Sequence, residues 1–105
     1  MLISKSTRIE EGDLATFKLS NGDEIVGRVE SVSVIGDYEV TCPMSVVPSQ
    51  KGVMLYPSLI TAKDKPTVTL QKQHILMCAL TTSELEAHYI QLTTGITTAP
   101  SGLVV

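Results

Sequence analysis

A chain of 105 residues with 43% hydrophobic content is long enough to bury one small core and too short for two. Its formal net charge of −3, from 8 Lys and Arg against 11 Asp and Glu, excludes a protein that coats nucleic acid by bulk electrostatics, which needs many cations to displace counterions. A small cationic site remains compatible with that balance, because screening confines each charge patch to roughly 10 Å at about 0.1 M salt.

Residues 1–13, MLISKSTRIEEGD, form a polar arm or a short helix; Ile9 is the only interior apolar residue from Ser4 to Asp13. The segment lacks a long apolar region with a small-residue cleavage site, and no run in the chain approaches the roughly 18 apolar residues of a membrane span. An intracellular, soluble, cytoplasmic protein without membrane contact is expected.

From Leu14 to Ser20 the residues alternate, with Ala15, Phe17 and Leu19 on one face and Thr16 and Lys18 on the other, as in a half-buried strand. Asn21-Gly22-Asp23 supplies the backbone freedom of a tight hairpin turn. Glu24 to Ile35 then reads as a long strand with Ile25, Gly27 and Val29 on one face. A glycine inside a strand weakens it, so Gly27 predicts a sharp bend or a close backbone approach.

Gly36-Asp37 is a second turn signal. Tyr38 to Val47 reads as a third strand in which Tyr38, Val40, Cys42, Met44 and Val46 share a parity, and Pro43 must sit at a bulge or on an edge because it has no N–H to donate. Pro48 to Gly52 is a loop. Val53 to Thr61 and Thr67 to Leu70 are either a long hairpin extension or one kinked strand. His74 to Leu80, HILMCAL, is the last strand. A helix over residues 83–96 follows, with Ser83 as its cap and Leu85, Tyr89 and Leu92 along one face, before a tail at 97–105. Cys42 and Cys78 both fall in apolar runs, which predicts two buried thiols rather than a disulfide scaffold. With one Phe, three Tyr and no Trp, the core must be aliphatic and the class mainly β.

Nothing along the chain has the pattern of a catalytic centre. His74 and His88 are isolated from other ligands, Asp23 and Glu24 flank a turn, and Glu84 and Glu86 fall in the first turn of the helix, where carboxylates favour the positive end of its dipole. No enzyme activity, metal or cofactor is expected.

The positions of Leu19, Asn21, Gly22, Ile25, Gly27 and Val29 resemble the first sequence motif of the Sm, Lsm and Hfq family of RNA-binding ring proteins. More broadly, the strand VTL, a short polar turn, the strand HILM and the ending YIQLTTGI are similar to small Sm-like proteins of marine bacteriophages. The resemblance implies a strongly bent, five-stranded antiparallel open barrel of SH3 type over residues 14–82. It also implies a closed homo-oligomer of about six or seven copies, joined head to tail through unpaired edge strands. The segments assigned to those edges are Val53, Met54 and Leu55, and Ile75, Leu76 and Met77; none carries a protecting charge.

The family's pore-facing turn corresponds here to Gln71-Lys72-Gln73-His74, with Lys72 at the basic position and Gln73 where Hfq-type proteins carry His. The resemblance thus implies single-stranded RNA held by Gln71, Lys72 and Gln73. Its second half, an Asp and an Asn bracketing a stacking residue, falls on Ser33 and Asp37 and departs from the family pattern. Asp37 and Tyr38 are the further members of that RNA-binding site, and Tyr38 either stacks on a base or packs half-buried at the start of its strand. The rival reading is a structural or adaptor ring that binds protein and no nucleic acid; the low charge and the altered Asp/Asn pair favour it.

Overall fold

Two glycines with different duties shape the first half of the fold. A computed structural model of the chain describes residues 8–63 and 65–94. Strands β1 (Leu14–Leu19) and β2 (Glu24–Val32) form the expected antiparallel hairpin, pairing Phe17 with Ile25 and Ala15 with Gly27. Gly22 takes φ +95° in the turn, where Asp23 N donates to Asn21 Oδ1 at 3.0 Å. Gly27 instead permits a close approach: a Cβ built there would overlap Val40 Cγ1.

Val40 belongs to β3 (Tyr38–Ser49), which bends at a bulge opposite Gly27. Val26 pairs with Met44 and Arg28 with Thr41, so Cys42 and Pro43 together oppose one residue of β2. Cys42 takes φ +53°, and Pro43 occupies the bulge that its missing N–H requires. The extra residue reverses the alternation. Tyr38 and Val40 therefore pack on one face of the sheet while Cys42, Met44 and Val46 pack on the other, which corrects the single shared face expected for them. Strand β2 also ends earlier than expected, at Val32. Residues 33–36 are a turn closed by Ser33 N to Asp37 O at 2.8 Å and Gly36 N to Ser33 O at 3.0 Å.

The segment left open between hairpin and kinked strand is two strands on one partner. Strand β4 (Gly52–Pro57) pairs with Met44 to Ser49, and β5 (Thr67–Leu70) pairs with Tyr38 to Thr41. Residues 58–63 and 65–66 leave the sheet between them, tied to the bulge by Ser58 N to Pro43 O at 2.9 Å and Cys42 N to Pro66 O at 2.8 Å. Strand β6 (Ile75–Leu80) returns to pair with β1. The result is one antiparallel sheet of six strands rather than five, in the order β4-β3-β2-β1-β6 with β5 branching from β3. It curls without closing, and β4 and β6 are its two ends.

Both faces of the sheet carry a core. Ala15, Phe17, Ile25, Val29 and Val40 fill the inner one, with Phe17, Val29 and Val40 almost wholly shielded. Each such side chain contributes about 1.5–3 kcal/mol of burial. Leu14, Val26, Met44 and Leu55 form the outer one beneath helix α1 (Ser83–Thr94), whose Tyr89 completes it. The helix is capped by Thr82 rather than Ser83, since Leu85 N reaches Thr82 Oγ1 at 3.3 Å and Glu86 N its carbonyl at 2.9 Å. Of the expected apolar stripe, Tyr89 and Leu85 pack and Leu92 stays 46% exposed.

Residues 8–13 contain a turn and no helix, with Gly12 N donating to Val29 O at 2.7 Å. The remainder of the 1–13 arm, residues 95–96 of the expected helix and the 97–105 tail lie outside the described residues. The two thiols form no disulfide; Cys42 is half-buried, but Cys78 is exposed on β6, against expectation. No described helix is long and apolar enough to cross a membrane.

Candidate functional site

The turn between β5 and β6 is a short 3-10 helix, Lys72–His74, entered from an extended Gln71 and closed by His74 N to Gln71 O at 2.9 Å. It is clamped to the β2–β3 turn, 35 residues away in sequence, by Lys72 N donating to Asp37 Oδ1 at 2.8 Å. Asp37 is itself held by its own N–H on Ser33 Oγ at 3.0 Å. The aliphatic stem of Lys72 lies over Gly36, where an added Cβ would come within 2.9 Å of Lys72 Cδ. Gly36, at φ +98°, is thus needed for both the turn and the contact.

Ile35, Asp37, Gln71, Lys72 and Gln73 line an open pocket of about 430 Å³. Four of the five residues expected to bind RNA are brought together there. Tyr38 is not among them: its ring packs edge-on against Phe17 at 5.1 Å and 69°, and its hydroxyl lies 3.8 Å from Cys78 Sγ. Burial, with a smaller effect of the Cys78 hydrogen bond, pushes the Tyr38 phenol above its ordinary value. Of its two readings, packing describes its surroundings.

Ile35 takes the open position instead, 66% exposed beside the fully exposed Val34. Sequence reasoning placed it at the end of a strand. The available signal was its location midway between Ser33 and Asp37, between the two turn signals of that segment. Gln73 Nε2 donates to Gln71 Oε1 at 3.2 Å, which orders the two amides against each other. The pocket therefore offers one ammonium, one carboxylate, two amides and an aliphatic surface, a set of donors and acceptors suited to binding a base edge. Among the described residues, no three His, Cys, Asp or Glu side chains converge as a metal would require.

The second candidate surface is the pair of sheet ends. Neither β4, GVMLYP, nor β6, ILMCAL, carries a charged residue. Val53, Met54, Leu76 and Met77 are exposed, at 47%, 43%, 62% and 67%. Leu55 is buried in the outer core and Ile75 packs against the inner one, so those two expected edge residues turn inward. Val47, Met54 and Tyr56 continue the inner face past Ile25 on the β4 side, since Ile25 pairs with Ser45, Ser45 with Tyr56 and Val47 with Met54. Cys78 and Leu80 continue it on the β6 side, paired with Phe17 and Ala15. All five are accessible in the single chain. Among the described residues, nothing covers the inner core where it runs out at both ends of the sheet.

No protein-family model matches this chain, and no curated protein matches it in sequence.

Proposed function

We propose that the chain is an Sm-like subunit that joins β4 of one copy to β6 of the next in a closed homo-oligomer of six or seven, and that this ring holds single-stranded RNA at the Ile35, Asp37, Gln71, Lys72 and Gln73 pocket. The observation that carries the RNA reading is the clamp between Asp37 and Lys72, which brings the two family-like segments into one pocket. Repetition around a ring multiplies a single Lys72 into a cationic circle that the acidic chain as a whole does not suggest. Assembly is supported by two edge strands without the Lys or Glu that monomeric proteins normally place there, Pro57 standing only at the last position of β4.

The test is light scattering of the purified protein at low and high salt with absorbance across the same peak, followed by titration of short uridine- or adenine-rich RNA. Six- or seven-fold mass and an affinity lowered about tenfold by Lys72→Ala are expected. A monomer would overturn the ring, and unchanged affinity in Lys72→Ala would overturn the site.

A second reading, a structural or adaptor ring for protein partners, is favoured by the net charge of −3 and by the engagement of Asp37 Oδ1 within its own fold. A ring of the same mass without affinity for RNA at low salt would select it.

A further inference from the structure

We propose that the cavity between residues 58–63, residues 65–66 and the end of α1 binds a small amphipathic anion, one anionic head on an aliphatic chain of medium length. This site shares no residue with the pocket around Lys72.

The cavity measures about 300 Å³, and Met44, Leu59, Ile60 and Leu92 supply apolar walls. At about 30 Å³ per water-sized group, it accommodates on the order of ten heavy atoms, the size of octanoate. Its only charged lining residues among those described are Lys63 and Lys65. No anionic side chain among the described residues lines it, so the two cationic side chains favour an anionic head.

Two further observations set the cavity apart from an incidental groove. Among the described residues, the two non-glycine residues with positive φ are Cys42 at +53° and Lys65 at +52°, and both line it. Backbone held in that unfavourable region concentrates where a fold fixes a binding surface. The mouth of the excursion is also fastened at both ends, by Ser58 N on Pro43 O and Cys42 N on Pro66 O, so the walls are set before a ligand arrives. Meanwhile Leu59 and Ile60 are left 49% and 86% exposed, apolar surface that an aliphatic chain would cover.

The experiment is a methyl-detected NMR titration of the full chain with octanoate, alongside 1-octanol of the same chain length and acetate without the chain. Saturable shifts at the Met44, Ile60 and Leu92 methyls are expected with half-saturation near or below about 1 mM, weaker binding of octanol and no binding of acetate. Lys63→Glu with Lys65→Glu should weaken octanoate at least about tenfold. Ile60→Ser, at a position already open to water, should weaken both eight-carbon ligands without disturbing the fold. Equal binding of octanol and octanoate, insensitivity to charge reversal, shifts confined to Val53, Met54 and Leu76, or no saturable shift would each overturn the proposal.

Discussion

The Lys72 amide and the Asp37 carboxylate, joined at 2.8 Å, make the β2–β3 turn and the β5–β6 turn one mechanical unit. A helical turn leaves its first N–H groups without internal partners, and Asp37 accepts from one of them as a capping carboxylate would. Asp37→Ala should cost about 1–2 kcal/mol in denaturant unfolding, and Asp37→Asn, which keeps an acceptor oxygen, less than half of that. Equal losses in the two variants would show that charge, not the hydrogen bond, holds the turns together.

Gly27 and Val40 predict a second, steric dependence. Gly27→Ala places its methyl on Val40 Cγ1 inside a core with no slack, and should destabilise by about 1–3 kcal/mol. Val40→Ala alone should cost about 1–3 kcal/mol through the space it leaves. The double variant should be more stable than the sum of the two losses, because each change relieves the other's misfit. Strict additivity in a double-mutant cycle would mean that Gly27 matters for another reason.

Gly27 also marks how far the sequence could be read. The hairpin, the close approach and the placement of Pro43 at a bulge follow from local residue chemistry, and each was legible. The direction of the bulge was not. One added residue at Cys42-Pro43 moves Met44 and Val46 to the opposite face from Val40, and counting by twos along β3 cannot register that shift. The same limit applies at the site. Lys72 and its flanking glutamines stood out as a polar turn, whereas Ile35 looked like the end of a strand until the turn at residues 33–36 carried it into the pocket. Tertiary pairing also decided that residues 53–70 become two strands on β3, since nothing between Val53 and Leu70 encodes the anchors at Pro43 and Cys42.

Helix α1 is held by Tyr89, whose hydroxyl donates to Thr41 O at 2.8 Å and lies 3.0 Å from Cys42 O, while Arg28 sits 5.8 Å from the ring centroid. Burial is the main cause that pushes this phenol from 10.0 up to about 12, partly countered by Arg28. The folded state therefore favours the neutral form. The stability that goes with the neutral phenol is complete below pH 10 and is lost as pH rises from 10 toward about 12. Tyr89→Phe should cost about 1–2 kcal/mol near neutrality, by leaving the carbonyls of the bulge short of a donor. The gap between the two proteins should narrow as pH rises from about 10 toward about 12. Tyr38 titrates alike in both, so the difference isolates Tyr89. A pH-independent gap would place the helix latch elsewhere.

Head-to-tail joining of β4 to β6 makes a prediction that other modes of assembly do not share. Met54→Glu puts a charge on one sheet end and Met77→Glu on the other, both at exposed positions where the folded subunit should change by no more than about 0.5 kcal/mol. Each variant alone has one intact end and one blocked end, so neither can propagate a ring, and both should run as monomers. Mixed in equal amounts, the intact β6 end of the first meets the intact β4 end of the second, while the remaining junction sets glutamate against glutamate. The mixture should therefore stop at a dimer of one copy of each. A symmetric contact, β4 on β4 or β6 on β6, would instead let one variant dimerise with itself and leave the other unable to join it. Light scattering of the two variants, separately and mixed, distinguishes these cases, and a self-dimer in either single variant would overturn the head-to-tail arrangement.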